Sequence, residues 1–206
     1  MYRPPHFRPG DEAAAGEAID AWPLALLVTG GLEATHVPLL RVEGALVGHI
    51  ARPNAHWQQA EDGAPALAAF LGPSAYVSPG FYATKAEHGR VVPTWNYVAV
   101  HVRGRVTWLH GADAKRRIVR ALTDRFEAGE AKPWSIDDAP ADYIEAMLGG
   151  IVGLSLSIES VEAQFKLSQN RTEDDRSGVE LGLAAREDSG SRAIARLMRR
   201  HFPFEG

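Results

Sequence analysis

Cysteine is missing altogether from the 206 residues. That excludes a disulfide framework, thiolate ligation of zinc or an iron–sulfur cluster, and a thiol nucleophile. Long apolar runs are missing too: nothing approaches the roughly 20 residues that span a bilayer, so no membrane partner is expected. The opening MYRPPHFRPG lacks the apolar stretch of a secretory signal. Positive charge is not in excess, with 22 Lys and Arg against 26 Asp and Glu and a formal net charge of −4, so the chain as a whole has no attraction to nucleic-acid phosphates. HExxH, GxSxG, a P-loop and a dinucleotide fingerprint are absent, as are internal repeats and Gly/Ser linkers. The eight histidines fit no standard ligand spacing, and no metal site is expected. What remains is 45% hydrophobic residues in a chain long enough to bury a core. It reads as one domain over 1–206 with a helical tail at 173–201, soluble and cytoplasmic.

Helix formers fill 11–21, with acidic residues at the start and Pro23 as the stop. PLALLVTGG, EATHVPLLRVEG and ALVGHIARPN follow as strand-length runs with turn residues between them, which predicts a three-stranded meander. Residues 54–62 read as a short helix or loop, and 65–71 is ambiguous between helix and strand. SAYVSPGFYAT reads as a strand interrupted at Ser78-Pro79-Gly80. The clearest signal lies at 95–109, where Asn96, Val98, Val100 and Val102 share one face and Tyr97, Ala99, His101 and Arg103 the other. Gly104 suggests a bulge or bend there. Ile118, Val119, Leu122 and Phe126 recur at helical spacing in 112–128. A second helix is expected around 138–148, a long strand at 151–167, and two helices in 173–201 broken at Asp188-Ser189-Gly190. Strands with helices inserted irregularly between them predict an α+β fold, a small and mostly antiparallel barrel with peripheral helices.

Three polar clusters sit at predicted strand ends: Gly48 to Asn54, Val91 to Tyr97, and Phe165 to Arg171. Together they offer Arg52, Lys166 and Arg171 as cations, several amides and hydroxyls, and two aromatic rings. A phosphate asks for guanidinium, ammonium, hydroxyl and backbone donors. A flat heterocycle asks for amides at its edge and apolar surface at its face. A strand opening at Thr-Trp-Asn-Tyr and a polar turn at Ser-Gln-Asn-Arg account for the same residues without any ligand, and composition alone favours that plainer account. His36 and His49, on strands expected to be neighbours, fit either a hydrogen-bonded imidazole pair or a cofactor contact.

MYRPPHF, LVGHIARPN, SAYVSPGFYATK, VVPTWNYVAVHVRG and FKLSQNR, occurring in that order from Met1 to about Met198, resemble the PaiB family of FMN-binding negative transcriptional regulators. The resemblance implies a split β-barrel related to flavin reductases and pyridoxamine-phosphate oxidases, with FMN in a groove at a homodimer interface. It makes Arg52 and Lys166 candidates for the phosphate or the pyrimidine edge of the flavin. His49, Ala51 (through its backbone) and Asn54 are expected to line one strand end, with His36 a further candidate contact from the neighbouring strand. Thr94, Trp95, Asn96 and Tyr97 form a second wall, and Gln169 and Asn170 close it. One departure is visible: the family often reads Asn-Pro after the arginine, where this chain has Asn54-Ala55-His56.

Regulator and enzyme stay open at this point, because a fold does not fix a function. ELGLAARE, a DSG break and SRAIARLMRRHF loosely resemble a helix–turn–helix, and Arg192, Arg196, Arg199 and Arg200 make the last helix basic. Yet 172–206 carries as much acid as base, and Ile194, Leu197 and Met198 suit a helix that packs on a core or a partner. The expected partners are FMN, a second copy, and either a DNA operator or a regulatory protein. The alternative is an FMN-dependent oxidoreductase of the NAD(P)H:flavin reductase type, for which no catalytic residue is assigned.

Overall fold

The structure is a computed structural model and describes residues 1–2, 4–9 and 13–201. The acidic helix start at Asp11 and Glu12, and Phe202 in the tail, lie outside the described residues. Seven strands form one sheet: β1 (Leu24–Thr29), β2 (Ala34–Pro38), β3 (Leu40–Val42), β4 (Ala45–Ala51), β5 (Pro65–Val77), β6 (Thr94–Leu109) and β7 (Ile151–Lys166). Among the described residues seven α-helices accompany them: α1 (Ala13–Ala21), α2 (His56–Gln59), α3 (Lys85–His88), α4 (Ala112–Glu127), α5 (Ala141–Gly149), α6 (Glu173–Ala184) and α7 (Ser189–His201). None of these helices is long and apolar enough to cross a membrane.

The strand order is β2-β1-β5-β6-β7-β4-β3, and this corrects the expected meander. β1 pairs antiparallel with β2, and β3 with β4, but the two hairpins stand at opposite ends of the sheet. EATHVPLLRVEG is therefore two edge strands rather than one, with only Leu39 between them. Because a single residue carries the chain from one sheet edge to the other, the sheet has to curl until those edges approach, which is the expected split barrel. Leu39 is fully buried and its N–H donates to the Pro23 carbonyl at 2.9 Å. Gly48 on β4 lies so close to this junction that a Cβ there would stand 2.6 Å from the Pro38 carbonyl oxygen.

Two compact units are present: Met1–Ala18, Leu71–Val100 and the chain from Glu162 onward form one, and Ile19–Phe70 with His101–Val161 the other. Strands β5 and β7 switch faces along their length. The buried set in β5 is Ala66, Ala68 and Phe70, then Ala75 and Val77; in β7 it is Val152, Leu154 and Leu156, then Ala163 and Phe165. A change of parity in a period-2 element needs an extra residue or a bend, and Gly72-Pro73 marks the place in β5. By contrast β6 keeps one face buried from Asn96 to Trp108. Gly104 does not interrupt that alternation; it makes room for the Ser157 carbonyl oxygen, which a Cβ would meet at 1.6 Å.

The ambiguous PALAAFL is strand, and the chain leaves it at Ser78, whose hydroxyl accepts from Gly80 N–H to cap the 3-10 turn Pro79–Phe81. In α4, Ile118 and Leu122 are buried while Phe126 is 46% exposed, so the apolar stripe ends a turn earlier than its spacing suggests. Ile136, Ile144 and Leu148 cluster against Val119 and Ile151. The tail is helical, with its break over 185–188.

Candidate functional site

The unit containing β7's end holds the stronger constellation. Thr94 opens β6 after Pro93, and Lys166 is the last residue of β7. The Lys166 ammonium donates to Thr94 Oγ1 at 2.5 Å and stands 5.8 Å from the centroid of the Phe7 ring. Among the described residues no carboxylate pairs with it. Burial, reinforced by the positive charge of Arg171, holds its pKa below the ordinary lysine value of 10.5. Arg171 in turn lies over the Tyr82 ring at 4.7 Å. A half-buried cation with a hydroxyl and a second cation beside it, and no counter-charge, suits an anion with several oxygens.

The neighbouring candidates divide. Trp95 is 55% exposed, edge-on to Tyr76 at 6.0 Å, and Tyr97 is half-buried on the same side of β6. Asn96 is wholly buried, and its Nδ2 donates to Ser168 Oγ at 2.9 Å. The Gln169 amide is spent on its own turn, accepting from Leu167 N–H at 2.7 Å and donating to the Phe165 carbonyl. Asn170 is exposed.

A second set belongs to the other unit. Ala51 ends β4 opposite Ile151. Arg52 follows, its Nε donating to the Gly149 carbonyl at 2.7 Å and its Nη2 to the Ile151 carbonyl at 3.4 Å, so the exposed guanidinium is anchored on the α5–β7 turn. Asn54 is held by residues the sequence reading passed over. Its Nδ2 donates to Thr35 Oγ1 at 3.1 Å, and its Oδ1 accepts from His56 N–H at 3.0 Å. His56 is 1% exposed; its two ring nitrogens meet Thr35 Oγ1 at 2.9 Å and Thr29 Oγ1 at 2.8 Å. Burial, partly opposed by the charge of Glu33, lowers the pKa of this imidazole. The Asn54–His56 bond thus supplies the stiffness that a proline after Asn54 would otherwise give. Its only sequence signal is an Asn two residues before the strand-exit helix.

His36 and His49 do not form the expected pair of neighbours. His36 is exposed opposite Leu26 on β1, whereas His49 is half-buried opposite Gly153 on β7. Strands β2 and β4 are not hydrogen-bonded neighbours. His49 Nδ1 is buried with no hydrogen-bond partner, and burial lowers the ring's pKa. It is an orphaned polar atom of the kind a bound group can satisfy. Beside the Arg52 loop, Trp57 Nε1 donates to the Arg52 carbonyl at 2.8 Å. The Trp57 ring, with Trp108, His110 and Glu61, lines an open pocket of about 470 Å³.

The basic tail helix is largely committed. Ile194, Ala195 and Met198 are buried, Arg199 pairs with Glu180 and Arg200 with Glu17, while Arg192 and Arg196 are exposed.

A family model described as "Putative FMN-binding domain" matches residues 1–160. The protease synthase and sporulation protein PAI 2 of Bacillus subtilis is 31% identical over 205 residues, covering 96% of each chain. Among solved structures, the FAD and heme binding protein of Mycobacterium smegmatis superposes with a TM-score of 0.54 at 22% identity, covering 78% of this chain and 73% of that one. The flavocytochrome Anf3 of Azotobacter vinelandii superposes with a TM-score of 0.54 at 18% identity, covering 83% and 75%. Both structures share the fold.

Proposed function

The chain belongs to the PaiB family of FMN-binding proteins, so a flavin is its cofactor, and we propose that it holds FMN as a homodimer in which Lys166 and Thr94 receive the phosphate. The observation that carries this reading is the Lys166 ammonium, half-buried on Thr94 with Arg171 nearby and no carboxylate partner among the described residues. In the other unit, Arg52, Asn54 and the backbone of Ala51 are a separate candidate set for flavin contacts, where His49 Nδ1 is buried without a hydrogen-bond partner. Trp95 and Tyr97 supply flat surface. The pinned amides of Asn96 and Gln169 are supports of this arrangement rather than contacts. When bound, FMN supplies one- and two-electron redox chemistry; the protein's residues bind and orient it.

We assign a regulatory role of the PaiB type, exercised through a protein partner rather than by α7 reading DNA. A recognition helix must offer its cations to phosphates and base edges, and here Arg199 and Arg200 are already in ion pairs. A second reading, FMN-dependent oxidoreductase, is favoured by the pocket of Trp57, Trp108 and His110 beside the Arg52 loop, which suits a flat reductant such as a nicotinamide. The deciding experiment is the absorption spectrum of the purified protein after FMN addition and gel filtration, with Lys166→Ala and Arg52→Ala in parallel. Retained flavin near one per chain in the parent, with affinity lower by about tenfold in each variant, is expected, since a charge-assisted contact contributes about 1.5 kcal/mol or more. Parental affinity in both variants would overturn the assignment. Flavin-dependent NAD(P)H oxidation lost in Trp57→Ala would favour the enzyme.

A further inference from the structure

The strand ends that carry Thr94 and Lys166 are built around a buried amide and a strained serine. Ser168, two residues beyond Lys166, is 4% exposed and holds φ at 65°, a left-handed backbone that is unfavourable for a non-glycine residue. Such strain persists only where the surroundings over-determine it. Asn96, two residues beyond Thr94, donates from Nδ2 to Ser168 Oγ at 2.9 Å, and the hydroxyl donates back to Asn96 Oδ1 at 3.3 Å. The same Nδ2 faces Met198 Sδ of α7 at 3.7 Å. His201, at the end of α7, stands edge-on to Phe165 at 5.5 Å. The Gln169 side chain ties the backbone of Phe165 and Leu167 into one turn. Lys166 therefore lies inside a segment that meets α7 through Phe165, and through Ser168 by way of the Asn96 amide.

A buried polar cluster of this kind admits one arrangement, because any other leaves an amide or hydroxyl unpaired away from water. We propose that the Asn96–Ser168–Met198 contact is a positioning lock that sets Lys166 for the flavin phosphate and couples occupancy of that site to the seating of helix α7. The inference rests on the FMN reading above and gives that site its regulated element. Coupling is reciprocal: a ligand that holds Lys166 steadies α7, and loosening α7 weakens the ligand. The groups that face Lys166 are Thr94 on β6, the Phe7 ring and Arg171. Nearby on β7, Glu162 pairs with the Met1 amine and Phe165 meets the His201 ring.

The test is amide hydrogen exchange of the full chain with and without FMN, together with FMN affinity as a function of pH. The parent is compared with Ser168→Ala, Met198→Leu and Lys166→Ala. FMN should slow exchange across 189–201 several-fold in the parent. Ser168→Ala should bind FMN about tenfold more weakly, and its alkaline loss of affinity should move to higher pH, because the released ammonium is better hydrated. Met198→Leu keeps the apolar volume and so the fold, but should lose the slowing of α7. If Lys166→Ala loses FMN while Ser168→Ala and Met198→Leu match the parent in affinity, pH profile and α7 exchange, the lock is overturned and the flavin reading stands. If the parent itself fails to retain FMN, the flavin reading falls and the lock with it.

Discussion

At the scale of single residues, the buried histidines set a pH dependence whose sign follows from their surroundings. Burial lowers the pKa of His49 and His56, and burial with the nearby Arg200 charge lowers that of His201, each from an ordinary value of 6.5. The unfolded chain therefore takes up protons before the folded one does. Stability is fully present above about pH 6.5 and is lost as pH falls through the lower folded values. Urea midpoints measured from pH 8 to pH 5 should be flat and then decline, and His56→Gln should reduce the decline; a midpoint unchanged at pH 5 would contradict this. Lys115 is a second instance of a residue whose environment sequence does not announce. It is 5% exposed on α4 and donates to the Leu148 carbonyl at 2.5 Å, where an exposed helix lysine would be expected from composition. Lys115→Ala should cost about 2 kcal/mol, because a buried carbonyl loses its donor, and a denaturant titration reads that directly. Asn54 and Asn96 were legible as polar strand-end residues. That Asn54 is tied to Thr35 and Asn96 to Ser168 was not, since both partners lie far along the chain.

At the scale of elements, alternation in β6 was legible because one face is buried throughout, and period 2 survives only where burial is one-sided. β5 was ambiguous because alanines fill its buried positions and its parity changes at Gly72-Pro73, so no single period covers it. The glycines divide by what approaches them. Gly104→Ala would put a Cβ 1.6 Å from the Ser157 carbonyl oxygen, a backbone atom with no rotamer to yield. It should destabilise by about 3 kcal/mol or more. Gly111→Ala, at the start of α4 with nothing within 4 Å, should stay within about 0.5 kcal/mol of the parent. Thermal or denaturant unfolding of the two variants side by side checks the pair. Helix α7 shows the same division: its arginines read as a basic face, but the partners of Arg199 and Arg200 come from α6 and α1.

At the scale of the whole molecule, a homodimer that carries FMN near one per chain should elute as a single species on gel filtration and stay yellow. With Arg199 and Arg200 neutralised in ion pairs, its affinity for duplex DNA should be weak. Sequence-specific binding that Arg196→Ala abolishes, with a steep loss in salt, would return the regulator reading to α7. The chain's own residues determined the fold class, the helices at 112–128 and 173–201, the three polar strand ends and, through five ordered motifs, the FMN family, because these are written in local periodicity, turn chemistry and contiguous strings. Only the tertiary structure decided that the first two hairpins stand at opposite sheet edges, that Gln169 is folded onto its own backbone, and that Lys166 is half-buried with no carboxylate partner among the described residues. Those are outcomes of which strands pair and which side chains lose water, and nearest-neighbour order along the chain carries no record of either.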